Sequence, residues 1–200
     1  MNDKTMKNLQ TYIGKRSLSQ SDAEVIEHIQ KVEAKEEISQ EEWKKLAYPS
    51  CANSDVEILK YIFGKVTDTS MAKELILHTV RFRQKSIEYQ LKQAQVVKIL
   101  LEYIGDFEKE RILNEALVNA AWFGEYEVIK LLIEEGAKPD YVCSNGKNIL
   151  ELSQNAVEKF GDNRGYDYIV SKLRWMVLLR KFQASGESEG MREFEVGGGL

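Results

Sequence analysis

Two hundred residues, 43% hydrophobic and 30% charged, suit one sizeable core or one short solenoid. A formal net charge of -4 excludes a global cationic field that would draw the chain to nucleic acid. Two distant cysteines, Cys51 and Cys143, without a CxxC pair, exclude a disulfide framework or a zinc ribbon, and reduced thiols fit a cytoplasmic protein. The N-terminal MNDKTMKNLQTYIG lacks the apolar core of a secretory signal. The run Trp175 to Leu179, bracketed by Arg174 and Arg180, falls far short of the roughly 20 apolar residues that cross a bilayer. A soluble chain with no membrane partner is expected.

The elements read as helices from one end to the other. Strand signals are nearly absent, and the only prolines are Pro49 and Pro139. Helices are predicted over 3–14, 21–35, 40–48, 54–63, 70–84, 87–104, 109–122, 125–135, 148–160 and 166–182. Ser21–Glu24, Ser39–Glu42 and Ser54–Glu57 each have the Ser-x-x-Glu form of a capping box, in which hydroxyl and carboxylate satisfy orphan amides. Gly64, Gly105, Gly136 and Gly161 follow apolar helical stretches, where a left-handed residue ends a helix. Short joins predict antiparallel neighbours. The expected class is all-α: a helical-repeat solenoid of about five antiparallel helix pairs in a single domain over 1–183. Residues 1–38 read as an N-terminal helical cap and 39–182 as degenerate repeats. Residues 184–200 read as a tail, with a flexible 184–190 linker before MREFEV (191–196). Phe194 and Val196 make that piece a cap on the last helix pair or a docking peptide.

The second helices of the pairs resemble one another. They read DVEILKYIFG (55–64), QVVKILLEYIG (95–105) and YEVIKLLIEEG (126–136), with a weaker cousin at 166–173. Offsets of about 30 to 40 residues lie in the range of helical repeats. Variable spacing implies insertions, placed at 84–93 and 160–166.

One unit is explicit. Between 114 and 152 lie the small pair Ala120-Ala121, the residues Trp122-Phe123, the turn glycine Gly124, the apolar helix of Val128 to Leu132, the stop Gly136-Ala137 and a hairpin from Asp140 to Gly146. Small residues let paired helices approach, Gly124 makes the inter-helix turn, and Asn145-Gly146 offers the positive-φ positions of a hairpin. This order resembles an ankyrin repeat. The Thr-Pro-Leu-His site of that family reads Glu115 to Val118 here and Asn148 to Glu151 in the next unit, so its Thr–His network is missing. The resemblance implies a non-catalytic protein-binding module whose partner contacts come from Trp122, Phe123, Tyr141, Ser144, Asn145 and Lys147, on the groove and hairpin side.

Catalytic motifs are missing. No phosphate loop, dinucleotide fingerprint or nucleophile elbow occurs. His28 and His78 have no ligand at metal-binding spacing, and adjacent glutamates such as Glu134-Glu135 splay on a helix rather than pair. No cofactor, metal or catalytic residue is expected. Two basic clusters, Arg81-Phe82-Arg83-Gln84-Lys85 and Lys172, Arg174, Arg180, Lys181 around Trp175, read as solvated helix faces with Phe82 and Trp175 in the core. The expected function is binding, and inhibiting or neutralising, a specific protein such as a toxin or effector; small acidic proteins of this type resemble bacterial immunity proteins. Two alternatives stand beside it. One is a helical-solenoid enzyme or small-ligand binder with a pocket between helix pairs near the insertions, gathering His78, Cys51 or carboxylates. The other is a nucleic-acid-binding adaptor using the basic clusters.

Overall fold

The computed structural model describes residues 1–15, 20–83, 86–161 and 163–185, with side chains to Leu179 in the last helix. The tail from 186 onward, with Phe194 and Val196, lies outside the described residues, as do Gln84 and Lys85. Among the described residues ten helices form: α1 (Asp3–Gly14), α2 (Asp22–Glu33), α3 (Gln40–Asn53), α4 (Val56–Phe63), α5 (Ala72–Thr79), α6 (Ile87–Leu101), α7 (Asp106–Phe123), α8 (Tyr126–Glu134), α9 (Ile149–Phe160) and α10 (Arg164–Ser185). They correspond one to one with the ten expected helices. No strand forms among the described residues; the nearest thing is an isolated antiparallel bridge between Val142 and Asn148.

The main helix contacts follow one rule. Odd helices touch the next odd helix (α1–α3, α3–α5, α5–α7, α7–α9), and even helices the next even one (α2–α4, α4–α6, α6–α8, α8–α10). The pairs α1–α2, α3–α4, α5–α6, α7–α8 and α9–α10 join the two rows. One apolar cluster runs between them from Met6 to Ile169, through Leu46, Ile62, Leu75, Leu100 and Leu117. Each such side chain, fully buried, contributes about 1.5–3 kcal/mol by leaving water.

Side-chain caps open α1, α2, α3, α6 and α9. Ser21 with Glu24 and Ser39 with Glu42 form the expected capping boxes, and Asn148 with Glu151 forms a third. Ser54 differs from expectation. It is the left-handed C-cap of α3 (φ 59°), so Ser54–Glu57 is no capping box and α4 starts after Asp55. Helix α3 also runs past Pro49 to Asn53, beyond the expected end at 48. Pro49 donates no hydrogen bond to the Lys45 carbonyl four residues back. The Gln10 amide of α1 donates to that carbonyl instead, at 3.3 Å. Helix α5, in turn, stops at Thr79 rather than near 84. The buried Gln93 side-chain amide donates to the carbonyls of Thr79 and Phe82, at 2.8 and 2.7 Å, and so closes the helix end.

The same turn occurs twice. At the end of α3, Ser54 is left-handed and the Asp55 amide donates to the Ser50 carbonyl at 2.8 Å. At the end of α7, Gly124 is left-handed (φ 72°) and the Glu125 amide donates to the Ala120 carbonyl at 2.9 Å. Asp55 and Glu125 share one backbone conformation, φ -84° with ψ 86° and 81°. Both are buried at the start of the next helix, where the positive end of its dipole favours a carboxylate. Of the four expected glycine stops, Gly136 and Gly161 are left-handed. Gly64 is right-handed within a continuing turn, and Gly105 is the extended N-cap of an α7 that starts earlier than expected.

Candidate protein-binding groove

The clearest unit builds a groove on α7, the following hairpin and α9. Ala120 and Ala121 are fully buried, which lets α7 lie close against its neighbours. A Cβ at Gly124 would stand only 3.7 Å from that of Ala156 on α9. The hairpin is tied to α7 through Asn114, whose buried side-chain oxygen accepts from the Lys138 amide at 2.8 Å. Its tip is closed by the Gly146 amide on the Cys143 carbonyl (2.9 Å) and the Cys143 amide on the Lys147 carbonyl (2.8 Å). Gly146 takes the left-handed conformation (φ 79°); Asn145 does not, and its side chain accepts from the Lys147 amide at 3.0 Å. A four-residue turn closed by one left-handed residue needs positive φ only there.

Between hairpin, α7 and α9 lies an open groove of about 300 Å³, lined by Val118, Asn119, Trp122, Asn145, Lys147 and Leu152. Trp122 is 39% exposed, far more than a core tryptophan such as Trp43 at 3%. Three of the six residues expected to meet a partner, Trp122, Asn145 and Lys147, therefore converge on one surface. The other three do not line it. Phe123 is half-buried, about 100° around α7 from Trp122. Tyr141 is half-buried and packs against the apolar core. Ser144 is exposed at the hairpin tip, outside the groove.

Packing adds residues that the sequence reading missed. The Lys159 ammonium stands 5.7 Å from the Trp122 ring centre and 5.2 Å from that of Phe160. The Arg83 guanidinium lies 4.3 Å from the Phe160 ring, and its Nη2 donates to the Phe160 carbonyl at 3.2 Å. A band of cations and aromatics thus runs Arg83, Phe160, Lys159, Trp122 to the groove and Lys147. Val118, Asn119 and Trp122 share one face of α7 at helical spacing, a signal the sequence carries. Arg83 and Phe160 lie 77 residues apart, and no local pattern joins them.

Residues considered for chemistry are placed otherwise. His28 stacks on Tyr12 at 4.3 Å, and His78 lies between the rings of Tyr48 (5.2 Å) and Phe82 (4.8 Å). Burial, then the nearby Arg81 charge, holds the His78 imidazole below its ordinary value. Cys51 is 1% exposed, and burial pushes its thiol up to about 12, so it stays protonated and shielded from solutes. Among the described residues no group of three or more histidine, cysteine or acidic side chains is placed to hold a metal ion. No described helix is long and apolar enough to cross a membrane. The basic clusters do not follow expectation either: Phe82 and Trp175 are exposed rather than in the core. Phe82 sits on the loop after the shortened α5. Trp175 sits on the half of α10 beyond Ile169, the last residue of that helix in the core, with Val177 and Leu178 also exposed.

Comparison of the chain with protein-family models, with curated proteins and with solved structures finds no match to any of them.

Proposed function

We propose that the chain is a non-catalytic protein-binding module, a degenerate ankyrin-like solenoid of five helix pairs that grips a protein partner through the groove at Trp122. The observation that carries the reading is the convergence of Trp122, Asn145 and Lys147 on one open surface. A large aromatic held half out of the core, ringed by polar groups, is the composition of an interface anchor. The solenoid reading draws on the two-row packing rule and on the repeated turn at Ser54-Asp55 and Gly124-Glu125. In such a chain, binding is the whole activity. Blocking or neutralising a partner in the cytoplasm, as an immunity-type protein does to a toxin or effector, is the form it takes.

Site-specific photo-crosslinking tests this. A benzophenone amino acid is placed at Trp122 and, separately, at the exposed Lys130 of α8, in cells of the native host. A single discrete adduct at position 122, absent at 130, is expected. Equal adducts at both positions, or none at 122, overturns the groove assignment.

A further inference from the structure

We infer that the segment received by this groove is acidic: an extended stretch of the partner with an apolar side chain flanked by carboxylates. The inference rests on the protein-binding reading above and specifies the chemistry of the partner. The groove floor is apolar, made by Val118, the Trp122 ring and Leu152. Its polar rim is cationic or neutral, with Lys147, Asn119 and Asn145 in the lining and Lys159 above the Trp122 ring. Arg83 continues the positive rim across Phe160. In a chain whose net charge is -4, this is a local reversal of sign.

Among the described residues the rim is also uncompensated. None of Lys147, Lys159 and Arg83 pairs with a carboxylate among the described residues, whereas Lys109, Lys138 and Arg111 nearby all do. The acidic groups around the groove are engaged or turned elsewhere. Glu115 is bound by Arg111 at 2.8 Å, and the Glu151 carboxylate accepts from the Asn148 amide at 2.9 Å in its capping box. Glu158 is exposed and about 100° around α9 from Lys159. A ligand that brings its own carboxylates supplies what the rim lacks. In an extended segment, side chains alternate, with like-facing neighbours about 7 Å apart. An apolar residue set on Trp122 then carries flanking carboxylates within reach of Lys159 and Lys147. Cation–aromatic contact holds Lys159 over the indole before the ligand arrives, which lowers the ordering cost of binding.

Cations interleaved with aromatics also suit single-stranded nucleic acid. The protein segment is favoured because the rim offers three cations rather than a continuous track.

The test is selection from a random heptapeptide library displayed on phage, panned on the full chain at low salt. Selected peptides are then titrated by fluorescence anisotropy beside fluorescein-labelled dT15. The expected result is enrichment of Asp and Glu around one apolar residue. Trp122→Ala should abolish binding, and Lys147→Glu with Lys159→Glu should weaken it by roughly tenfold or more. Both lysines are exposed, so the charge reversals leave the core intact. Peptides that need Trp122 but carry no acidic bias overturn this inference and leave the protein-binding groove standing. Tighter binding of dT15 than of every selected peptide overturns it too. Failure to select any peptide that depends on Trp122 counts against both.

Discussion

The duplicated turn makes opposite demands on its two left-handed residues, and a paired substitution reads them. Gly124 has φ 72° and space for a methyl group, since the nearest atom to an added Cβ is Ala156 Cβ at 3.7 Å. Gly124→Ala therefore tests backbone strain without a clash. A left-handed alanine costs about 1–2 kcal/mol. Stiffening the unfolded chain returns about 0.4–1 kcal/mol. The net is about 1 kcal/mol of destabilisation, or a melting point lower by about 2–4 °C for a domain of this size. Ser54 occupies the equivalent place with φ 59°, and its buried hydroxyl finds no partner among the described residues. Ser54→Gly relieves both, the strain at about 1–2 kcal/mol and the orphan hydroxyl at about 1–3 kcal/mol, against about 0.5–1 kcal/mol for the added freedom of the unfolded chain. It should stabilise by about 1 kcal/mol or more. Urea unfolding followed by far-UV circular dichroism measures both. The reasoning fails if Gly124→Ala is as stable as the parent, or if Ser54→Gly loses stability.

Three further outcomes follow from named contacts. The Cys51 thiol is raised from 9.0 to about 12 by burial, so it remains protonated in the fold after the unfolded chain has ionised. Its contribution is intact below about pH 9 and is lost as pH rises toward 12, at no more than about 1.4 kcal/mol per pH unit; Cys51→Ala should flatten the fall in stability between pH 9 and 11, measured by urea midpoints, and an unchanged slope refutes it. Asn114→Ala removes the bond that holds the Lys138 amide, at a cost of about 1–2 kcal/mol, and hydrogen exchange should quicken in the 138–147 hairpin more than in α1–α3. Gln93→Met leaves the Thr79 and Phe82 carbonyls without their shared donor, so a loss of about 2 kcal/mol is expected in urea unfolding, with faster amide exchange in residues 80–83.

The helices are legible here because an apolar face at helical spacing is a local statement, and at Ser21, Ser39, Gly136 and Gly161 the boundary is local too. The ends that depart from expectation depend on something distant or on a repeated turn. Pro49 reads as a terminator until Gln10, 35 residues away, supplies the donor for the Lys45 carbonyl. Arg81 and Phe82 read as helix until Gln93 takes the carbonyl of Thr79, the last residue of α5, and that of Phe82 beyond it. Ser54 reads as an N-cap because Ser and Glu stand at capping distance, and only its match to Gly124 reveals a left-handed C-cap.

The groove divides along the same line. Trp122, Asn145 and Lys147 fall within one repeat-length unit, so their proximity follows from local order alone. Lys159 and Phe160 come from α9 and Arg83 from the loop after α5, and tertiary packing alone brings Lys159 to the Trp122 ring and Arg83 to the Phe160 ring. The local residues provide the apolar floor and one cation. The distant ones provide most of the positive charge, and with it the preference for an acidic ligand. Local order therefore reaches the groove at Trp122 but not the charge of its rim. Loosening the 80–83 loop through Gln93 should accordingly weaken an acidic ligand while leaving the Trp122 pocket itself in place.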